Sequence, residues 1–129
     1  AEALIRAVDS ALTVGDRNSP LDVLVQVSLD GDPARGGVPV DQVLPLVDGV
    51  TRSSELRFRG LMAVGPLGWS PERAFDLLSK VCERTRNDHP EATEMSAGMS
   101  ADLETAIAYG STCVRVGTAL LGERPLTSP

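Results

Sequence analysis

Cysteine, histidine and lysine are nearly missing from this sequence: two cysteines, one histidine and a single lysine stand among 129 residues. Cys82 and Cys113 cannot build a disulfide framework, and with only His89 to join them they cannot assemble a structural zinc site. A reducing cytoplasmic setting is therefore expected, with no metal. No apolar run approaches the length that spans a bilayer, so no membrane helix is expected. There is no basic tract and no interleaving of aromatic with basic residues. The 12 lysines and arginines against 18 acids leave a net charge of −6, which argues against a nucleic-acid partner. Any lysine chemistry must use Lys80, because every other basic residue is arginine. Nothing in these 129 residues leads one to expect a signal peptide, transit segment or lipidation motif among them.

What is present is an alternation of short valine-rich runs with amphipathic stretches. Ala1 to Leu12 reads as a helix, with Ala3, Leu4, Ala7, Val8 and Ala11 on one stripe and no capping residue ahead of it, so the expected reading is a start cut from a longer chain. Val23 to Leu29, between Ser19-Pro20 and Asp30-Gly31-Asp32-Pro33, reads as a buried parallel strand. Val40 to Val50 has helical spacing, which Pro45 allows only in the first turn or at a bend. Leu56 to Val64 is a second strand, ended by Gly65-Pro66-Leu67-Gly68.

Ser70-Pro71-Glu72 supplies an N-cap, a first-turn proline and an acid, opening a helix that runs to about His89-Pro90. Thr93 to Ala97 is a third strand, Gly98-Met99 a turn, and Ser100 the expected cap of a helix through Tyr109. Thr112 to Val116 is the last strand, and a short apolar helical turn follows Gly117-Thr118. This order is that of a parallel α/β fold built from βα units. A closed barrel of eight such units takes about 250 residues, so 129 residues make about half of one. Half a barrel leaves open sheet edges and is expected to pair, with a copy of itself or with a missing half.

In such folds the ligand lies at the carboxyl ends of the strands, and phosphate often lies between the loops after the last two. Here those loops are Ser96-Ala97-Gly98-Met99-Ser100 and Gly117-Thr118, both rich in small residues and hydroxyls and both opening helices. Exposed backbone N–H groups there would bind an anion without a lysine. Taken singly, Ser100 is no more than a cap and Gly117 no more than a turn; together they predict a phosphate site. Alternation puts Arg115 on the opposite side of its strand from Val114 and Val116. Its guanidinium then requires a carboxylate, a bound anion or a ring nitrogen. Lys80 lies on the polar face of its helix, His89 is expected to serve the helix end, and both cysteines read as small core residues.

Three stretches, Leu56-Arg57-Phe58-Arg59-Gly60-Leu61-Met62-Ala63, Ser96-Ala97-Gly98-Met99-Ser100-Ala101-Asp102 and Gly110-Ser111-Thr112-Cys113-Val114-Arg115-Val116-Gly117-Thr118-Ala119, resemble the pyridoxal phosphate homeostasis protein family. This family is also called the YggS or proline synthase co-transcribed family, and the resemblance covers nearly the whole chain. It implies the carboxyl-terminal half of an alanine-racemase-like TIM barrel, with residues 1–129 forming a partial cofactor-binding domain. It implies further that Ser96, Gly98, Met99, Ser100, Gly117 and Thr118 lie at or near the phosphate of pyridoxal 5'-phosphate, and that Arg115 approaches the pyridine nitrogen or the phosphate. A guanidinium at that nitrogen keeps its proton, which leaves the ring a weak electron sink. The implied role is that of a cofactor carrier or regulator, not an enzyme.

Three positions depart from the family pattern. The lysine that holds the cofactor covalently belongs, in the family, to the first barrel strand, and these 129 residues offer no counterpart, so the expected ligand is the cofactor held without that bond, or a phosphate or sulfate ion alone. Ser28 stands where an asparagine usually follows the Gln26-Val27 pair, and Ala34-Arg35-Gly36-Gly37 replaces the usual Lys-Ser-Gly. The alternative function is a cofactor-dependent amino-acid racemase of similar fold. That chemistry needs an acid/base pair on opposite faces of the ring, and Tyr109, the only tyrosine, sits at a helix end.

Overall fold

The computed structural model of the chain describes residues 2–14 and 19–125. Helix α1 (Glu2–Val14) leads to strand β1 (Leu21–Ser28), followed by a single 3-10 turn (Pro33–Arg35) and a two-residue strand β2 (Val38–Pro39). A second 3-10 turn (Val40–Gln42) runs into α2 (Val43–Thr51), and β3 (Leu56–Met62), α3 (Pro71–Asp88), β4 (Glu94–Met99), α4 (Leu103–Ala108), β5 (Cys113–Arg115) and α5 (Thr118–Leu121) complete the chain. All pairings are parallel, in the order β2-β1-β3-β4-β5. The alternation expected from the sequence is therefore present.

Differences from the sequence reading are local. β2 and the turn before it were not expected. Val38-Pro39 is too short to show a period, and it is placed by pairing with Val27 and Ser28 across the chain. The turn is built by Asp32, whose carboxylate accepts from the Ala34 N–H at 2.9 Å. Pro45 falls in the first turn of α2, where its missing N–H costs nothing. The α3 start is as expected: Ser70 Oγ accepts from the Arg73 N–H at 3.2 Å and Pro71 opens the helix.

One face of the sheet is covered by helices. Val25, Val27, Phe58, Leu61, Met95 and Ala97 meet Val47, Phe75, Leu78 and Val81 in the core, which is nearly free of polar atoms. A Cβ at Gly60, where φ is 151°, would lie 1.8 Å from the Glu94 carbonyl oxygen. That close approach goes with the irregularity in which Val23 pairs with Phe58 but Leu24 with Gly60. The other face of the sheet, carrying Asp22 and Arg57 as an ion pair, is left open by the described residues. Cys82 is buried in the core, but Cys113 is exposed on edge strand β5, contrary to the expectation for it. By alternation from Arg115 it lies on the face of the sheet that the described helices do not cover.

Candidate functional site

β4 and β5 end side by side, with Met99 opposite Arg115 in the register. Backbone pairing between them is interrupted after Ser96 and Cys113, and hydroxyls bridge the gap. Ser111 Oγ donates to the Ala97 carbonyl at 2.6 Å, and Thr112 Oγ1 accepts from the Met95 N–H at 2.9 Å while donating to Glu94 at 2.7 Å. The two loops beyond the strands touch: the Ala119 N–H donates to Ser100 Oγ at 3.0 Å. The two strand tips are therefore joined.

Arg115 is half-buried, and its Nη2 donates to the Ala63 carbonyl, at the end of β3, at 2.8 Å. Its acceptor is thus a backbone oxygen and not a carboxylate. Its Nε is fully buried without a hydrogen-bond partner. A buried charged donor left unmet costs free energy, so the arrangement is poised for an acceptor that the described residues do not supply. The N–H groups of Gly117 and Thr118 likewise make no hydrogen bond among the described residues, and the space over Gly117 is open to at least 4 Å. Arg115 Nε at the end of β5 and the N–H groups of Gly117 and Thr118 in the loop directly after it are three donors within four residues, a set that suits an oxyanion. α5 has four residues, too few for the helix dipole expected there, so individual N–H groups carry the interaction.

The remaining expected site residues divide. Ser100 and Thr118 stand at the joined loops. Met99 is exposed at the end of β4, which runs two residues further than Ala97 instead of turning at Gly98. Gly98 is buried, has a φ of 98°, and packs against α4, where a Cβ would meet that of Ala106 at 2.7 Å. Its place is behind the loop, allowing α4 to approach. Ser96 is buried within β4, further down the strand. Ser100 does not cap α4. Asp102 occupies the cap position, and its Oδ1 accepts from the Met99 N–H at 2.8 Å, holding the turn that presents Ser100. Asp102 was missed because a serine followed by a hydrophobic run is the stronger cap signal, although aspartate in such a turn is itself a known pattern.

At the neighbouring strand ends, a cavity of about 140 Å³ is lined by Gln26, Ser28, Asp30, Arg35, Val64 and Pro66. Arg35 pairs there with Asp30 at 3.4 Å and with Asp32 at 3.9 Å. The Asp32 N–H donates to Asp30 and, with Arg35, holds that carboxyl below its usual range. Lys80 pairs with Asp76 on the outside of α3, which raises its pKa, and lies on the helical layer as expected. His89 closes the carboxyl end of α3 through its N–H to the Thr85 carbonyl, and its Nε2 lies 3.4 Å from Asp48.

The family model described as alanine racemase, N-terminal domain, matches residues 2–125. The chain belongs to that family. It is 53% identical over 127 residues to the pyridoxal phosphate homeostasis protein of Corynebacterium glutamicum, covering 98% of this chain and 58% of that relative. Among solved structures it is similar to PipY of Synechococcus elongatus without pyridoxal phosphate, with a TM-score of 0.83 and 28% identity over 95% of this chain and 58% of that one. It is similar also to the same protein with pyridoxal phosphate bound, with a TM-score of 0.80 and 27% identity over 95% of this chain and 57% of that one. The expected resemblance to homeostasis proteins is thereby borne out, and the fold is part of an alanine-racemase-like barrel. The chain spans little more than half the length of these relatives. Among the described residues there is no group of side chains suited to a metal and no helix long and apolar enough to cross a membrane.

Proposed function

We propose that this chain binds pyridoxal 5'-phosphate as the carboxyl-terminal half of a homeostasis-protein barrel, and that it carries or buffers the cofactor in the cytoplasm without catalysing a reaction. The observation that carries this reading is the unmet, buried Nε of Arg115, followed along the chain by the unbonded N–H groups of Gly117 and Thr118. Ser100 would donate its hydroxyl hydrogen to the phosphate while its oxygen holds the Ala119 N–H, and the exposed Met99 would lie near the cofactor. Ser96 and Gly98 support the loop from behind. A phosphate or sulfate ion would use the same donors.

When bound, the cofactor would supply an electron-withdrawing ring, and Arg115, Gly117 and Thr118 would hold its phosphate. Among the described residues no tyrosine stands at these strand ends to serve as a racemase's second acid/base group. Tyr109 is the cap residue of α4, away from the tips. The relatives' naming as homeostasis proteins supports the same reading. Titration of the chain with pyridoxal phosphate, with inorganic phosphate as competitor, tests it. Saturable binding that phosphate displaces and that Arg115→Ala weakens is expected. No saturation, or equal affinity in the variant, overturns it.

A further inference from the structure

Past Ser96, β4 has no partner on one side: its register with β3 ends where Met62 meets Ser96, and the Ala63 N–H donates to the Ser96 carbonyl at 3.1 Å. On its other side β4 advances three residues, from Ser96 to Met99, while β5 advances two, from Cys113 to Arg115. The extra residue makes a bulge, and Gly98, with a φ of 98°, lies within it. A bulge re-aims the chain that follows it, which here is Met99 and Ser100.

Successive residues of a strand turn their backbone groups to opposite neighbours, so Ser96 faces β3 while Met95 and Ala97 face β5. The Met95 carbonyl accepts the Thr112 N–H at 2.8 Å, as in a regular ladder. The Ala97 carbonyl instead accepts from Ser111 Oγ at 2.6 Å, and that hydroxyl takes the place of a β5 amide. The same oxygen lies 3.2 Å from the Met95 carbonyl oxygen and 3.1 Å from that of Cys113; with one hydrogen to give, it serves the nearest. Ser111 is itself anchored, since its N–H donates to the Ala106 carbonyl of α4 at 2.9 Å. Ala97 is completely buried, so without that hydroxyl its carbonyl oxygen is left unmet unless β4 shifts.

We propose that Ser111 is a positioning residue for the phosphate site: its hydroxyl holds the bulge of β4 against β5 and so sets where Ser100 stands relative to Arg115, Gly117 and Thr118. This rests on the binding reading given above and adds to it a residue that touches no ligand. Arg115 has a hold of its own, on the Ala63 carbonyl of β3, so the part displaced when the Ser111 hydroxyl is lost is the tip of β4. Past Ala97, one side-chain hydrogen bond joins the two tips among the described residues, the exposed one from the Ala119 N–H to Ser100 Oγ.

The test is titration with pyridoxal phosphate of the wild type, Ser111→Ala, Ser100→Ala and the double variant, each checked for its fold by circular dichroism. Ser111→Ala should lose about threefold to tenfold in affinity. The double variant should lose no more than about twofold beyond Ser100→Ala alone, because the hydroxyl that Ser111 positions is then gone. Ser111→Cys, which keeps a weak donor, should show the same dependence on Ser100. Val47→Ala, which opens the core beneath α2, should lower the urea midpoint and leave the affinity as it is. Equal affinity in Ser111→Ala and the wild type, losses that multiply in the double variant, or an equal loss in Val47→Ala would each overturn the assignment of Ser111 while the binding reading stands. A wild type that does not saturate would overturn the binding reading, and this assignment with it.

Discussion

Arg115 is the residue on which the proposed site turns, since its guanidinium reaches across from β5 to the end of β3. Replacing it with alanine removes charge-assisted hydrogen bonds worth about 1.5–3 kcal/mol, so pyridoxal phosphate affinity measured by titration should fall by roughly ten- to a hundredfold. Ser100→Ala removes the hydroxyl that would donate to the phosphate and that accepts from Ala119 but leaves the backbone donors and the Arg115 charge, so a smaller loss of roughly three- to tenfold is expected in the same titration. Cys82 behaves differently from both. Burial pushes its thiol up to about 11 from 9.0, with Arg86 acting weakly in the other direction. The folded state thus holds that proton more tightly than the unfolded chain, so the associated stability is present below pH 9 and is lost as pH rises toward 11. Urea denaturation of the wild type and Cys82→Ala across that interval should show the steeper alkaline loss in the wild type. The residue types at the site were legible in advance. That Arg115 would find a carbonyl oxygen was not, because Ala63 is 52 residues distant in sequence and carries no polar side chain.

The elements follow local rules where the signals are strong. Ser70-Pro71-Glu72 opens α3 as its chemistry predicts, and Ser70→Ala should cost about 1 kcal/mol in thermal or urea unfolding. Gly60 is set by packing and not by a turn. Alanine there would drive a methyl into the Glu94 backbone, with a cost of about 3 kcal/mol or more, read as a fall in the urea midpoint. Its position within an apolar strand run gave a reader no means of knowing that β4 would lie so close. The same limit explains β2, whose two residues are a strand only because β1 is there to pair with them, and Asp102, which shapes the loop from beyond the residue that looked like its cap.

For the molecule as a whole, the distribution of lysine has a consequence. Lys80 is the only one and is held on the outer face of α3 by Asp76, so borohydride treatment of the chain with pyridoxal phosphate should leave no site-specific covalent adduct at the strand tips by mass spectrometry. The alternation of strands with helices, the half-barrel length, the absence of metal-ligand spacing and the small, hydroxyl-bearing loops after the last two strands were all determined by the sequence alone, because each rests on local periodicity or composition. Only the tertiary structure decided that the two loops are joined through Ser100 and that one donor of Arg115 stays unmet among the described residues. Those facts depend on which strands lie side by side, and that is settled by burial summed over the whole chain.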